Sequence, residues 1–120
     1  MANELTMNHY LAFVKGNRKV NLGENGVNVS VNGTDFVHRT QAIGSTEETL
    51  NYGEITTPGY SIFRNNDATD TVNLRPNTGD ANMCALPPGA YAGPFKLAVS
   101  TAYGISSANT PELEYVIIEE

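Results

Sequence analysis

The residues best suited by type and spacing to do chemistry lie in FRNNDATDTVNL (63–74), where Asp67 and Asp70 stand among Asn65, Asn66, Thr69 and Thr71. Three readings are open: an oxygen-ligand cation site, a catalytic carboxylate pair, or the polar tip of a β-hairpin. A calcium loop of the EF-hand kind needs glycine at its sixth position and a bidentate Glu at its twelfth. Counted from Asp67, those positions hold Val72 and Thr78, so the pattern fails. The spacing of the two aspartates could still clip one cation together with backbone carbonyls. Asn and Asp side chains also bond their own backbone and tolerate left-handed geometry, which favours a turn between SIF and TVNL.

The other reactive side chains are dispersed. Zinc and iron sites need three or four convergent ligands, whereas His9, His38 and Cys84 are far apart in the chain. Both histidines read as half-buried strand residues. Cys84, in NMCAL, has no basic or His neighbour to lower its pKa and reads as a packed small hydrophobe. Glu47 and Glu48 are adjacent, so in a strand they point to opposite faces and do not act as a pair. There is no G-x-S-x-G, P-loop, G-x-G-x-x-G or C-x-x-C. Carboxylates serving a glycosidase would have to meet across the fold. Tyr52, Tyr60, Phe63, Tyr91, Phe95, Tyr103 and Tyr115 could line a carbohydrate groove, although core and edge packing accounts for them more simply. The expectation is a protein that is not an enzyme and needs no cofactor or metal.

The elements that must position these residues are strands. VNVSV (27–31) alternates Val27, Val29 and Val31 with polar residues; Asn32-Gly33 and DFVHRTQAI (35–43) follow, the pattern of a hairpin. LTMNHYLAFV (5–14) places Leu5, Met7, Leu11 and Phe13 on one face, interrupted by His9. EETL, YSIFRN, DTVNL, MCAL, PFKLAVS and LEYVIIEE are short and bounded by Gly, Pro, Asn or Asp. Ser45–Glu48 has a capping-box pattern, but it runs into Tyr52-Gly53 within two turns and reads as strand or turn. About eight to ten short strands predict an all-β chain: one antiparallel β-sandwich or small jelly roll over residues 1–120, with 1–8 as an extended N-terminal arm.

The 120 residues fit one domain, with 40% hydrophobic and 17% charged residues. No apolar run approaches the roughly 20 residues that span a bilayer, and no secretory signal is visible, so a membrane partner is not expected. A single cysteine fits a reducing cytoplasm. The net charge of −6 and the scattered basic residues, of which only Arg18 and Lys19 adjoin, argue against nucleic acid. Glu112, Glu114, Glu119 and Glu120 read as a solvated strand edge and tail.

GEITTPGYSIFRNNDATDTVNLRP, then ALPPGAYAGPFKLA, then LEYVIIEE, together spanning residues 53–120, resemble a layout found in small tailed-bacteriophage virion proteins. PNTGDANM (76–83) departs from that layout as an insertion-like turn. The resemblance implies a β-sandwich structural protein of the particle: a head decoration (cement) protein on the capsid surface, or a tail- or fibre-associated one. It also implies the major capsid protein or other virion proteins as partners, and a homo-oligomer with a trimer as the expected count. Strand edges and terminal segments are natural attachment devices. Asn3, Glu4, Leu5 and Thr6 at one end and Val116 and Ile118 at the other are therefore the candidate interface residues. A carbohydrate-binding sandwich using exposed tyrosines is the alternative. A small hydrolase or metal enzyme built on Asp67, Asp70 or His38 ranks last.

Overall fold

A computed structural model describes residues 4–120 of the chain. Among them there is no helix, and the chain divides into two compact units, one running to Asn32 and the other Gly33–Glu120.

The first unit is a two-stranded ribbon, β1 (Leu5–Lys15) antiparallel to β2 (Arg18–Val29). Lys15 pairs with Arg18 across Gly16-Asn17. Gly16, at φ 58°, occupies the first central position of a type II′ turn, where the positive φ suits the twist of the strands. Past an irregularity between Met7 and His9, Tyr10 lies opposite Gly23, where the backbone of His9 and Tyr10 approaches so closely that a Cβ would not fit. This ribbon replaces the hairpin expected between 27–31 and 35–43: Val27 and Val29 pair back to Met7 and Leu5. Residues 5–8 are accordingly the base of β1, not a free arm.

The second unit is an antiparallel β-sandwich. Its strands are β3 (Phe36–Ala42), β4 (Glu48–Thr49), β5 (Pro58–Asn65), β6 (Val72–Arg75), β7 (Cys84–Leu86), β8 (Tyr91–Lys96), β9 (Tyr103–Ser106) and β10 (Glu112–Glu119). One sheet has the order β3-β10-β5-β8 and the other β4-β9-β6-β7. The pairing is nested: β3 with β10, β4 with β9, β5 with β8, and β6 with β7. The sandwich expected over residues 1–120 is thus confined to Gly33–Glu120.

Period-2 alternation builds the core. On β10, Leu113, Tyr115 and Ile117 are fully buried and share a core with Phe63 of β5, Val72 and Leu74 of β6, Leu86 of β7, Ile43 just after β3 and Leu50 just after β4. Each such side chain contributes about 1.5–3 kcal/mol on leaving water. The Tyr115 hydroxyl accepts the Asn51 N–H at 2.9 Å and donates to Gln41 Oε1 at 2.7 Å, tying β10 to the segment after β4. β10 lies between β3 and β5, so the acidic C-terminal strand is an interior strand and not the sheet edge expected from its charges.

Candidate interaction surfaces

FRNNDATDTVNL does not form a hairpin tip. It carries the chain from β5 in one sheet to β6 in the other. Asn65, fully buried, organises the crossing. Its Nδ2 donates to the Asp70 and Leu86 carbonyls at 2.7 and 2.8 Å, and its Oδ1 accepts the Asp67 N–H at 2.9 Å. Asp67 Oδ2 accepts the N–H groups of Thr69 and Asp70 at 3.0 and 2.8 Å. Those two amides, Asp70 foremost, hold the Asp67 carboxyl below its ordinary pKa. Asp70 Oδ2 accepts from Asn109 Nδ2 at 3.0 Å. Asp67 therefore works as a turn acceptor, as the Asn/Asp chemistry of the stretch suggests, whereas the Asp70 carboxylate ties the crossing to Asn109 in the β9–β10 loop. Among the described residues, no group of three His, Cys, Asp or Glu side chains is arranged to hold a metal ion. Cys84 is half-buried and packed against the core.

Surfaces, rather than a pocket, stand out. The outer face of the β3-β10-β5-β8 sheet is apolar at its centre. Phe36 faces Ile118, His38 faces Val116, and Val116 faces Ile62. Phe36 is 66% exposed, and Ile62, Val116 and Ile118 are half-buried. A polar row borders this patch, formed by Thr40, Glu114, Arg64 and Tyr91 in register across all four strands. His38 Nε2 is 2.6 Å from Glu114 Oε2, and Asn66 Nδ2 donates to Glu114 Oε1 at 3.1 Å. Those contacts, His38 first, depress the Glu114 pKa. The Arg64 guanidinium sits 5.3 Å from the centroid of the exposed Tyr91 ring, a cation–π contact. A shallow cavity of about 220 Å³ runs along this row between His38 and Tyr91.

The ribbon is the second such surface. Tyr10, Leu11, Phe13, Val14, Val20 and Leu22 are all exposed, Leu22 by 79%. Its turn also carries Lys15, Arg18 and Lys19, three of the seven basic residues, a local cluster already present in the linear order although the basic residues as a whole read as scattered.

The candidate interface residues fall in both units. Asn3 lies outside the described residues. Glu4 Oε1 accepts the Val31 N–H at 3.0 Å, Leu5 pairs with Val29, and Thr6 donates to Asn28 Oδ1 at 2.9 Å, so these three belong to the base of the ribbon. Val116 and Ile118 lie on the outer sheet face, beside Phe36 and Ile62, which the sequence reading did not single out. The signal for that face was available: Tyr115–Ile118 is an unbroken apolar run. Such a run marks a strand apolar on both faces, whereas a solvated sheet face gives alternation. No protein-family model matches the chain, and no curated protein or solved structure matches it.

Proposed function

We propose that the protein is a non-enzymatic structural component of a bacteriophage particle, a head decoration protein whose outer sheet face binds major capsid subunits. The observation that carries this reading is the apolar outer face of β3-β10-β5-β8. A one-sided antiparallel sheet ordinarily turns polar residues to water. Here Phe36, Ile62, Val116 and Ile118 are turned outward, and a contiguous apolar patch with a polar border is the composition of a protein-binding surface. The nested strand pairing supports the same reading, being of the kind expected of a jelly roll, an architecture recurrent in viral capsid and lectin domains. The resemblance of residues 53–120 to tailed-phage virion proteins supplies the context.

Mass spectrometry of purified particles tests the proposal. A copy number matching the major capsid protein is expected, and Val116→Glu should empty those positions. Absence of the chain from mature particles overturns it.

The shallow cavity lined by His38, Glu114, Arg64 and Tyr91 favours a second reading, a tail- or fibre-associated module that binds carbohydrate. An exposed aromatic ring beside charged hydrogen-bonding groups is suited to a sugar. A few copies per particle, with glycan binding lost in Tyr91→Ala, would select this reading over decoration.

A further inference from the structure

We propose that the β1–β2 ribbon is a homotypic docking arm, and that its occupant is the same ribbon of a second copy packed face to face and antiparallel about a two-fold axis. A lone two-stranded ribbon is marginal in water, and this one exposes large apolar side chains that a partner would cover. Directly opposed residues of an antiparallel pair share a face, so the register assigns one face row by row. From base to tip it reads His9 with Glu24, Leu11 with Leu22, Phe13 with Val20, and Lys15 with Arg18. The two middle rows are wholly apolar, and their four side chains are between 49% and 79% exposed. An acidic residue lies at one end of the face and two basic residues at the other.

This order is complementary to its own reversal. When two copies are stacked antiparallel, the Leu11–Leu22 row of one lies on the Phe13–Val20 row of the other. Lys15 and Arg18 of each then meet Glu24 of its partner. Rows are about 7 Å apart, so the basic and acidic ends of one ribbon are separated by about 20 Å. That exceeds the Debye length of about 8 Å at physiological salt, so the two ends do not neutralise each other within one chain. A parallel stack would bring the basic tips together and the Glu24 side chains together, so charge selects the antiparallel orientation. The result is a closed isologous interface, in which each residue contacts the counterpart of its own partner row. The opposite face of the ribbon, with Tyr10, Ala12 and Val14 across from Gly23, Asn21 and Lys19, lacks this symmetry. The inference concerns the ribbon alone and stands apart from the outer sheet face, where Val116→Glu should leave it unchanged.

Sedimentation equilibrium of the whole protein is the test. The wild-type chain should show a concentration-dependent monomer–dimer equilibrium. Leu22→Glu should abolish the dimer while thermal unfolding of the sandwich is unchanged, because Leu22 is no part of that core. Glu24→Lys, and separately the pair Lys15→Glu and Arg18→Glu, should each weaken dimerisation at least about tenfold by juxtaposing like charges. All three reversals combined should restore it to within a few-fold of wild type. These three side chains are exposed, so loss followed by recovery reads the interface and not folding. A wild-type monomer at ~100 µM, well above the micromolar range of ordinary protein–protein dissociation constants, would overturn the proposal. So would a trimer as the smallest assembly, a Leu22→Glu dimer, or failure of the triple reversal to recover.

Discussion

His38 and Glu114 meet diagonally across the β3–β10 pair, with Nε2 2.6 Å from Oε2, on a face where the neighbouring residues are Val116 and Ile62. An imidazole donates this hydrogen bond from Nε2–H whether neutral or protonated. The carboxylate is stabilised by it, so the Glu114 pKa lies below its ordinary value of 4.5 in the folded protein. A depressed carboxylate contributes stability that is fully present above the unfolded pKa and is lost as pH falls through the folded one. Glu114→Gln should therefore lower the melting temperature at neutral pH. The melting curves of variant and wild type should converge as pH falls below 4.5 and through the depressed folded pKa, as read by circular dichroism across a pH series.

Two buried tyrosines should respond in opposite directions to loss of the hydroxyl. Tyr115 Oη bonds Asn51 and Gln41, and Tyr115→Phe removes both bonds, leaving only the longer 3.3 Å contact of the Asn51 N–H with Gln41 Oε1, at a cost of about 1 kcal/mol. Tyr52 Oη is buried without a hydrogen bond of good geometry. Burial pushes its pKa up to about 12, against a smaller opposing effect of the Ala102 amide. Tyr52→Phe should thus stabilise by about 1 kcal/mol, raising the melting temperature by several degrees. In wild type, stability should fall as pH rises from about 10, the unfolded value, towards 12, and the variant should lack that component.

Asn65 and Asp67 both shape the β5–β6 crossing, but not equally. Asn65→Leu strands the buried Leu86 carbonyl and the partly buried Asp70 carbonyl and Asp67 N–H. Unfolding in urea should show a loss of about 3 kcal/mol or more. Asp67→Ala removes only exposed turn acceptance and should cost visibly less. Its depressed pKa makes its contribution acid-sensitive, present above about pH 3.8 and lost below that as the carboxyl protonates.

The all-β class and the turn role of Asp67 were legible because both follow from local chemistry: period-2 apolar alternation, and Asn or Asp bonding its own backbone. Strand partners were not legible, and the nested topology explains why. In the sandwich, β3 and β4 fall in opposite sheets, as do β4 and β5, β5 and β6, β7 and β8, β8 and β9, and β9 and β10. Only β6–β7 is a local hairpin, so turn residues elsewhere mark crossings between sheets that composition cannot tell from hairpin loops. Asn32-Gly33 carried a hairpin signal, yet β2 pairs with β1 and β3 with β10. The C-terminal strand was misplaced for a related reason. Its glutamates suggested an edge, but Glu114 lies in the polar row of the outer face while Leu113, Tyr115 and Ile117 anchor the middle of the sheet. The interface candidates Val116 and Ile118 were found for their place near the chain end, whereas what distinguishes them is the face they share with Phe36 and Ile62.

Adjacent residues on β10 provide the sharpest check on that face. Ile117 is fully buried within the core, and Ile118 points outward opposite Phe36. Ile117→Ala should cost about 2–5 kcal/mol, the transfer of the lost methyl groups plus the cavity left among neighbours that cannot collapse onto it. Ile118→Ala removes the same atoms from a face already partly in water, and should cost under about 1 kcal/mol. Chemical denaturation separates the two. If the outer face binds capsid subunits, the order reverses in a binding assay: Ile118→Glu should abolish co-sedimentation with heads while its denaturation midpoint stays near wild type. Equal destabilisation by the two alanine variants would mean that Ile118 is as well packed as Ile117 and would remove it from the apolar surface this face offers a partner.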